Sequence, residues 1–304
     1  MKRTFGYELK ENLCNTDKCL PRCKAAQAYG VLLLSKSFSS DEIKLQTENQ
    51  NVAVYFSEAV FSITGVMPLI ECKQLRKNKY IYTVTVDDEQ SRQRIFSFYG
   101  CNNYVPVDIK IIGGKDCIGA FIRGAYLACG SITDPYKDYH LEFVVYSKER
   151  SEELCNILSM VGIEAKIAKR KNQYVVYIKE SGQIEDLLTI MGESGLAMEI
   201  MNVKIYKEIR NSANRVTNCE TANISKVVYA AAAQINDINL IINNYGLEHL
   251  SDELKEAATL RLQNPDASLL ELCALSKDGV SKSGMNHRLK RISTMAREIR
   301  DRKN

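Results

Sequence analysis

Long apolar runs are missing from this 304-residue chain. No stretch approaches the roughly 20 residues that a bilayer-spanning helix needs, which excludes a helical membrane span. The opening MKRTFGYELKENL also lacks the apolar core of a secretory signal. A cytoplasmic location without membrane contact is therefore expected. Strong net charge is absent too. The balance of 41 Lys+Arg against 37 Asp+Glu leaves +4, which by itself names no partner. Ten cysteines without an export signal point to reduced thiols rather than a disulfide framework. A complete metal-ligand set is also lacking. Cys14, Cys19 and Cys23 follow a C-x4-C-x3-C spacing that fits no common zinc pattern, and no fourth ligand lies nearby. Incidental thiols are the simpler reading, with metal binding by these three as the alternative. No cofactor is expected.

What charge there is collects at one end. Residues 281–304 hold eight Lys/Arg (Lys282, Arg288, Lys290, Arg291, Arg297, Arg300, Arg302, Lys303) against Glu298 and Asp301, a local net of +6. A basic end on a near-neutral body suits a polyanion.

The chain also repeats itself. Ala26 and Gly30 recur as Ala120 and Gly124, and Lys77-Asn78-Lys79-Tyr80 recurs as Lys171-Asn172-Gln173-Tyr174, all offset by 94 residues. Period-3.6 and period-2 apolar patterns give the same order of elements in each copy. The first copy reads as helix 21–36, strand 43–48, helix 51–64, strands 68–75 and 79–86, and helix 88–99. The second reads as helix 116–130, strand 139–147, helix 149–161, strands 164–170 and 173–179, and helix 181–192. This is a duplicated α+β unit over 1–203, with repeats of about 1–100 and 101–203. Ala26/Gly30 and Ala120/Gly124/Ala128 lie one turn apart on their helices, and small residues on one face let two helix backbones approach closely. These two helices are expected to pack together and join the halves.

From 204 to 223 the pattern loosens. NSANRVTNCETAN (211–223) is polar without a clear period, and 204–223 reads as a linker in which Thr221 or Asn223 caps a helix over 224–244. An all-α domain over 224–304 follows. Ser251 precedes a helix at 252–263. Ser268 and Glu271 form a capping box that opens a short helix to about Leu275. Gly279 sits in a turn, and Ser281 caps a helix over about 282–299. Two helices joined by a glycine-containing turn make a helix-turn-helix. On the last helix Met285, Leu289, Ile292, Ala296 and Ile299 share one face, while Ser283, Asn286, His287, Lys290 and Arg291 point the other way. Lys and Arg suit phosphates and guanine edges, Asn suits adenine, and the amides of the helix start suit a phosphate. The candidate DNA-binding set is Ser281, Lys282, Ser283, Asn286, His287, Arg288, Lys290 and Arg291, with double-stranded DNA as partner.

Three stretches carry a resemblance: FIRGAYLACGSITDP…YHLEF (121–143), NSANRVTNCETAN (211–223) and NPDASLLELCAL…SKSGMNHRLKRI (264–292). They resemble the WhiA family of bacterial transcriptional regulators over nearly the whole chain. The resemblance implies an N-terminal domain similar to LAGLIDADG homing endonucleases, joined to a C-terminal helix-turn-helix. It also implies a sequence-specific regulator tied to sporulation, cell division or chromosome segregation. In active LAGLIDADG nucleases each signature helix ends in an acid followed by Gly, and the paired acids hold a divalent metal. Aligning on Gly30 puts Ser35 at the acidic position and Lys36 at the glycine; aligning on Gly124 puts Cys129 at the acid and keeps Gly130. Neither copy keeps its carboxylate, so no metal site and no nuclease activity are expected. The leading expectation is a DNA-binding regulator or nucleoid-associated protein, and the pseudo-two-fold of the duplication is compatible with a monomer. The alternative is a module in which the first domain binds another regulator protein or a ligand and DNA contact is secondary.

Overall fold

The computed structural model describes residues 4–15, 20–75, 79–100, 107, 112 and 117–302. Cys19, the Lys77-Asn78 part of the repeated tetrapeptide, the expected helix start at Asp116, and Lys303 lie outside them. The chain forms two units, residues 1–207 and 208–304.

The first unit is built twice from the same parts. Helix α1 (Phe5–Cys14) precedes the first copy. That copy comprises α2 (Pro21–Leu33), β1 (Ser37–Phe38), β2 (Ile43–Thr47), α3 (Gln50–Thr64), β3 (Leu69–Gln74), β4 (Tyr80–Thr85) and α4 (Glu89–Phe98). The second copy comprises α5 (Ile118–Cys129), β5 (Gly130–Ile132), β6 (Leu141–Val145), α6 (Lys148–Met160), β7 (Lys166–Arg170), β8 (Gln173–Ile178) and α7 (Ser181–Ile190). Each copy forms an antiparallel four-stranded sheet, in the order β1-β2-β4-β3 or β5-β6-β8-β7. Alternate residues of the inner strands (Ile43, Leu45, Leu141, Phe143, Val145) are buried, as a sheet with one covered face requires. Side-chain caps define the helix starts. Asn49 accepts from the amides of Asn51 and Val52, Asp88 from Ser91, and Ser147 from Arg150. The elements read from periodicity are present with ends shifted by a few residues, and α1, β1 and β5 are additional.

Helices α2 and α5 cross at the centre of the unit. A Cβ on Gly30 would lie 2.2 Å from the Phe121 carbonyl oxygen, and one on Gly124 would lie 2.1 Å from that of Gln27. The two glycines are therefore reciprocal, each making room for the other helix's backbone. Around the crossing, Tyr29 stacks on Tyr99 with ring centroids 4.5 Å apart and meets Phe121 at 5.7 Å. Buried Arg123 ties the halves through its Nη1, which donates to Gln27 Oε1 (3.2 Å), while its Nε donates within its own half to the Met191 carbonyl (2.6 Å).

The stretch read as a linker is helical. Helix α8 runs without a break from Ser194 to Tyr245, so 204–223 is not a loop and neither Thr221 nor Asn223 starts a helix. No glycine or proline occurs between Gly195 and Gly246, so nothing interrupts it. It stops where Gly246 takes a positive φ of 73°. From residue 208 onward it belongs to the second unit, with α9 (Asp252–Gln263), α10 (Leu269–Leu275) and α11 (Lys282–Asp301). The core of this unit joins Ile238 and Ile241 of α8, Leu254, Ala257 and Ala258 of α9, Leu272 of α10, and five residues of α11. Buried Arg261 pins the α9–α10 turn by donating to the Ala267 carbonyl at 2.6 Å.

Candidate nucleic-acid interface

Local sequence dictates both helices of the second unit's turn. Ser268 and Glu271 form the expected capping box: the Ser268 amide donates to Glu271 Oε2 (2.7 Å) and the Glu271 amide to Ser268 Oγ (3.3 Å). Two orphan amides of a short helix are thereby satisfied. Gly279 in the turn has φ 60°, a left-handed value that suits glycine. Ser281 caps α11 by accepting from the Gly284 amide at 3.2 Å, and its hydroxyl lies 3.0 Å from that of Ser283.

Helix α11 divides cleanly. Met285, Leu289, Ile292, Ala296 and Ile299 are all buried. Ser281, Lys282, Ser283, His287, Lys290 and Arg291 are exposed, and Asn286 is half-buried beside them. No carboxylate among the described residues pairs with Lys290 or Arg291. These seven side chains share the N-terminal half of one helix, the end whose amides favour an anion.

Arg288 is placed differently from the other seven candidates. Its side chain is only 13% exposed, and its guanidinium reaches Glu256 (3.2 Å), Asp278 (3.7 Å) and Glu253 (4.0 Å). It ties α11 to α9 and to the turn. Glu256 also accepts from the Lys277 amide (2.9 Å) and the Ser276 hydroxyl (3.0 Å). These bonds, with Arg288 beside them, hold its carboxyl below the usual carboxylate range. The wheel position of Arg288 gave no warning of this, because its partners are distant in sequence.

The two positions expected to correspond to metal acids, Ser35 and Cys129, lie at the ends of α2 and α5. Ser35 is buried just past α2, its hydroxyl shared between the carbonyls of Leu32 (2.7 Å) and Ser37 (3.0 Å). Cys129 closes α5 with Sγ 3.3 Å from the Ala125 carbonyl, and burial pushes its thiol up to about 12, so it is protonated near neutrality. Lys10 of α1 was not anticipated here. Its amine donates to the Leu127 carbonyl at 3.3 Å, and burial pulls its pKa below the usual lysine value. The available signal was a lysine next to the apolar Phe5/Leu9/Leu13 stripe of a short helix. Among the described residues no group of three or more His, Cys, Asp or Glu is placed to hold a metal ion.

Fold and site together define a two-part protein, a duplicated LAGLIDADG-like unit coupled to a helix-turn-helix. Two family models match these parts: the WhiA LAGLIDADG-like domain over residues 118–210 and the WhiA C-terminal HTH domain over 213–296. The chain is 37% identical over 312 residues to the probable cell division protein WhiA of Clostridium perfringens (strain SM101 / Type A), covering 98% of each. It is 39% identical over 317 residues to that of Clostridium beijerinckii, covering 99% of this chain and all of the relative. Among solved structures, full-length DUF199/WhiA from Thermatoga maritima superposes with a TM-score of 0.56 at 25% identity, over 97% of this chain and 99% of that one. The chain belongs to the WhiA family.

Proposed function

We propose that this chain is a sequence-specific regulator that binds double-stranded DNA through α11, while its duplicated unit has no cleavage chemistry. The observation that carries the reading is the division of α11 into a fully buried apolar face and an exposed basic and amide-bearing face behind a Ser281 cap. Such a helix, held by a capped partner across a glycine turn, suits a major groove. Lys290 and Arg291 supply phosphate or guanine contacts, Asn286 pairs with adenine, and Ser281 and Ser283 with the helix amides grip a phosphate. Lys282 and His287 flank them. The process served on this reading is cell division, which the relatives' name of probable cell division protein supports, at promoters or along the nucleoid in the cytoplasm. One chain suffices, since the duplication supplies its own pseudo-symmetry.

The non-enzymatic part of the reading rests on chemistry at the helix ends. A committed hydroxyl at Ser35, a protonated thiol at Cys129 and an amine at Lys10 offer a hard divalent cation no carboxylate pair.

The test is a gel shift with duplex DNA selected from a randomised pool, across a salt series. The full chain is expected to bind with an affinity that falls steeply with salt. Asn286→Ala/Lys290→Ala/Arg291→Ala is expected to lose that binding while remaining folded by circular dichroism. Unchanged affinity in the variant would move the DNA site off α11. Metal-dependent cleavage of the selected duplex by the pure chain would overturn the non-enzymatic reading.

A further inference from the structure

Two cysteines meet where the duplicated halves join. Cys23 is in the first turn of α2, and Cys117 immediately precedes α5. They are 94 residues apart, the same offset that relates Gly30 to Gly124, so the internal pseudo-two-fold brings equivalent positions face to face. Their sulfurs are 3.0 Å apart. The reciprocal glycines keep the crossing of α2 and α5 tight and hold the pair in register. Cys23 is partly exposed, and Cys117 is completely buried behind it.

We propose that Cys23 and Cys117 form a reversible disulfide that clasps the two halves of the duplicated unit, with hydroperoxides as the oxidant class. A disulfide bond needs its sulfurs at about 2.05 Å, so closure asks for a movement of roughly 1 Å. Accessibility sets the order of events. The Cys23 thiolate attacks the O–O bond of hydrogen peroxide, giving a sulfenic acid and, with one proton, a water. The Cys117 thiol, 3.0 Å away, then attacks the Cys23 sulfur and gives its proton to the departing hydroxide, which leaves as water. Two thiols and one peroxide thus yield one disulfide and two waters. A dithiol reductant reverses the bond by exchange.

The other thiols among the described residues do not share this arrangement. Burial pushes Cys14 and Cys129 up to about 12, which keeps them protonated and slow to react. Cys72 and Cys219 are exposed on separate elements and serve as internal references for unspecific oxidation.

The test treats the full chain with about one equivalent of hydrogen peroxide, alkylates the remaining thiols, and maps the peptides by mass spectrometry. The expected product is one crosslinked pair joining the Cys23 and Cys117 peptides, two hydrogen masses lighter than the sum, with alkylatable cysteines falling from ten to eight. Dithiothreitol should restore all ten. The oxidised chain should also unfold about 5–10 °C higher than the reduced one, because the clasp closes a long loop. Cys23→Ser should lose both the crosslink and the shift. Since Cys23 is partly exposed, this variant is expected to fold, and its reduced-state midpoint checks that. Oxidation falling first on Cys72 or Cys219, with Cys23 and Cys117 still alkylatable, would overturn the proposal. So would a crosslink without any rise in midpoint, which would mean that the halves are not held by it.

Discussion

Replacing Gly124 by Ala tests whether the α2–α5 crossing is as tight as its backbone positions require. The added Cβ would lie 2.1 Å from the Gln27 carbonyl oxygen and 2.9 Å from the Val31 amide nitrogen. Carbon–oxygen contacts rest near about 3.3 Å, so the helices must separate by roughly 1 Å. The obstructing atoms are backbone and cannot rotate away. A gap of about 1 Å forfeits up to about half of each dispersion contact along the crossing. Overpacking of this kind costs about 3 kcal/mol, at the upper end of its usual range. Alanine returns about 1 kcal/mol of helix propensity. The net expectation is a loss of about 2 kcal/mol, which lowers the urea midpoint of the first unit by roughly 1 M. Near-ultraviolet circular dichroism follows this directly, because the Tyr29–Tyr99 stack sits at the crossing. Gly182→Ala is the matched control: it lies in α7, and its Cβ would meet nothing within 4 Å. That variant should be as stable as the parent or slightly more so. If Gly124→Ala behaves like Gly182→Ala, the close approach inferred from the glycines is wrong.

Three further outcomes follow from named contacts. The folded Glu256 carboxyl is held below its ordinary value, so its contribution is fully present above that value and disappears as pH falls through the depressed one. Thermal midpoints of the second unit should therefore drop on acidification from about pH 6 to about 3.5, and Glu256→Gln should flatten that dependence; equal slopes would contradict the role given to Glu256. Ser268→Ala removes a capping-box acceptor and should cost about 1 kcal/mol, visible as faster amide exchange across α10. In the DNA-binding assay, Lys290→Ala and Arg291→Ala should each reduce the slope of log affinity against log salt by about 0.9 if each side chain neutralises one phosphate.

Much of the fold was legible because it is written twice. The 94-residue offset aligned elements whose individual patterns are weak, and the small residues at Ala26/Gly30 and Ala120/Gly124 announced a close helix pair. The long middle of α8 was not legible. From 208 to 224 every position is exposed, so no apolar face repeats at helical spacing, and polarity reads as loop. The sign that was available is the absence of any glycine or proline from 196 to 245. β1 and β5, of two and three residues, are too short to show a period of two. For the candidate site, the buried face of α11 and its cap were local properties and could be read directly. Arg288 could not be assigned that way. Its surroundings are created by Glu253 and Glu256 on α9 and by Asp278 in the turn, a tertiary arrangement that a helical wheel does not see.

Covalent fusion of the two repeats has a consequence for how this scaffold can vary. In an assembly of two identical subunits, a substitution at a twofold-related position appears in both, so each change must be tolerable twice. Here the related positions are independent. One signature helix is followed by serine and the other ends in cysteine. The lysine of α1 reaches only the end of the second, at Leu127. Gly30 and Gly124 are the counterexample: each accommodates the other's backbone, so they stay locked to one another although they are encoded separately. Freedom at the helix ends and constraint at the helix crossing divide the same pair of helices into a part that can drift and a part that cannot.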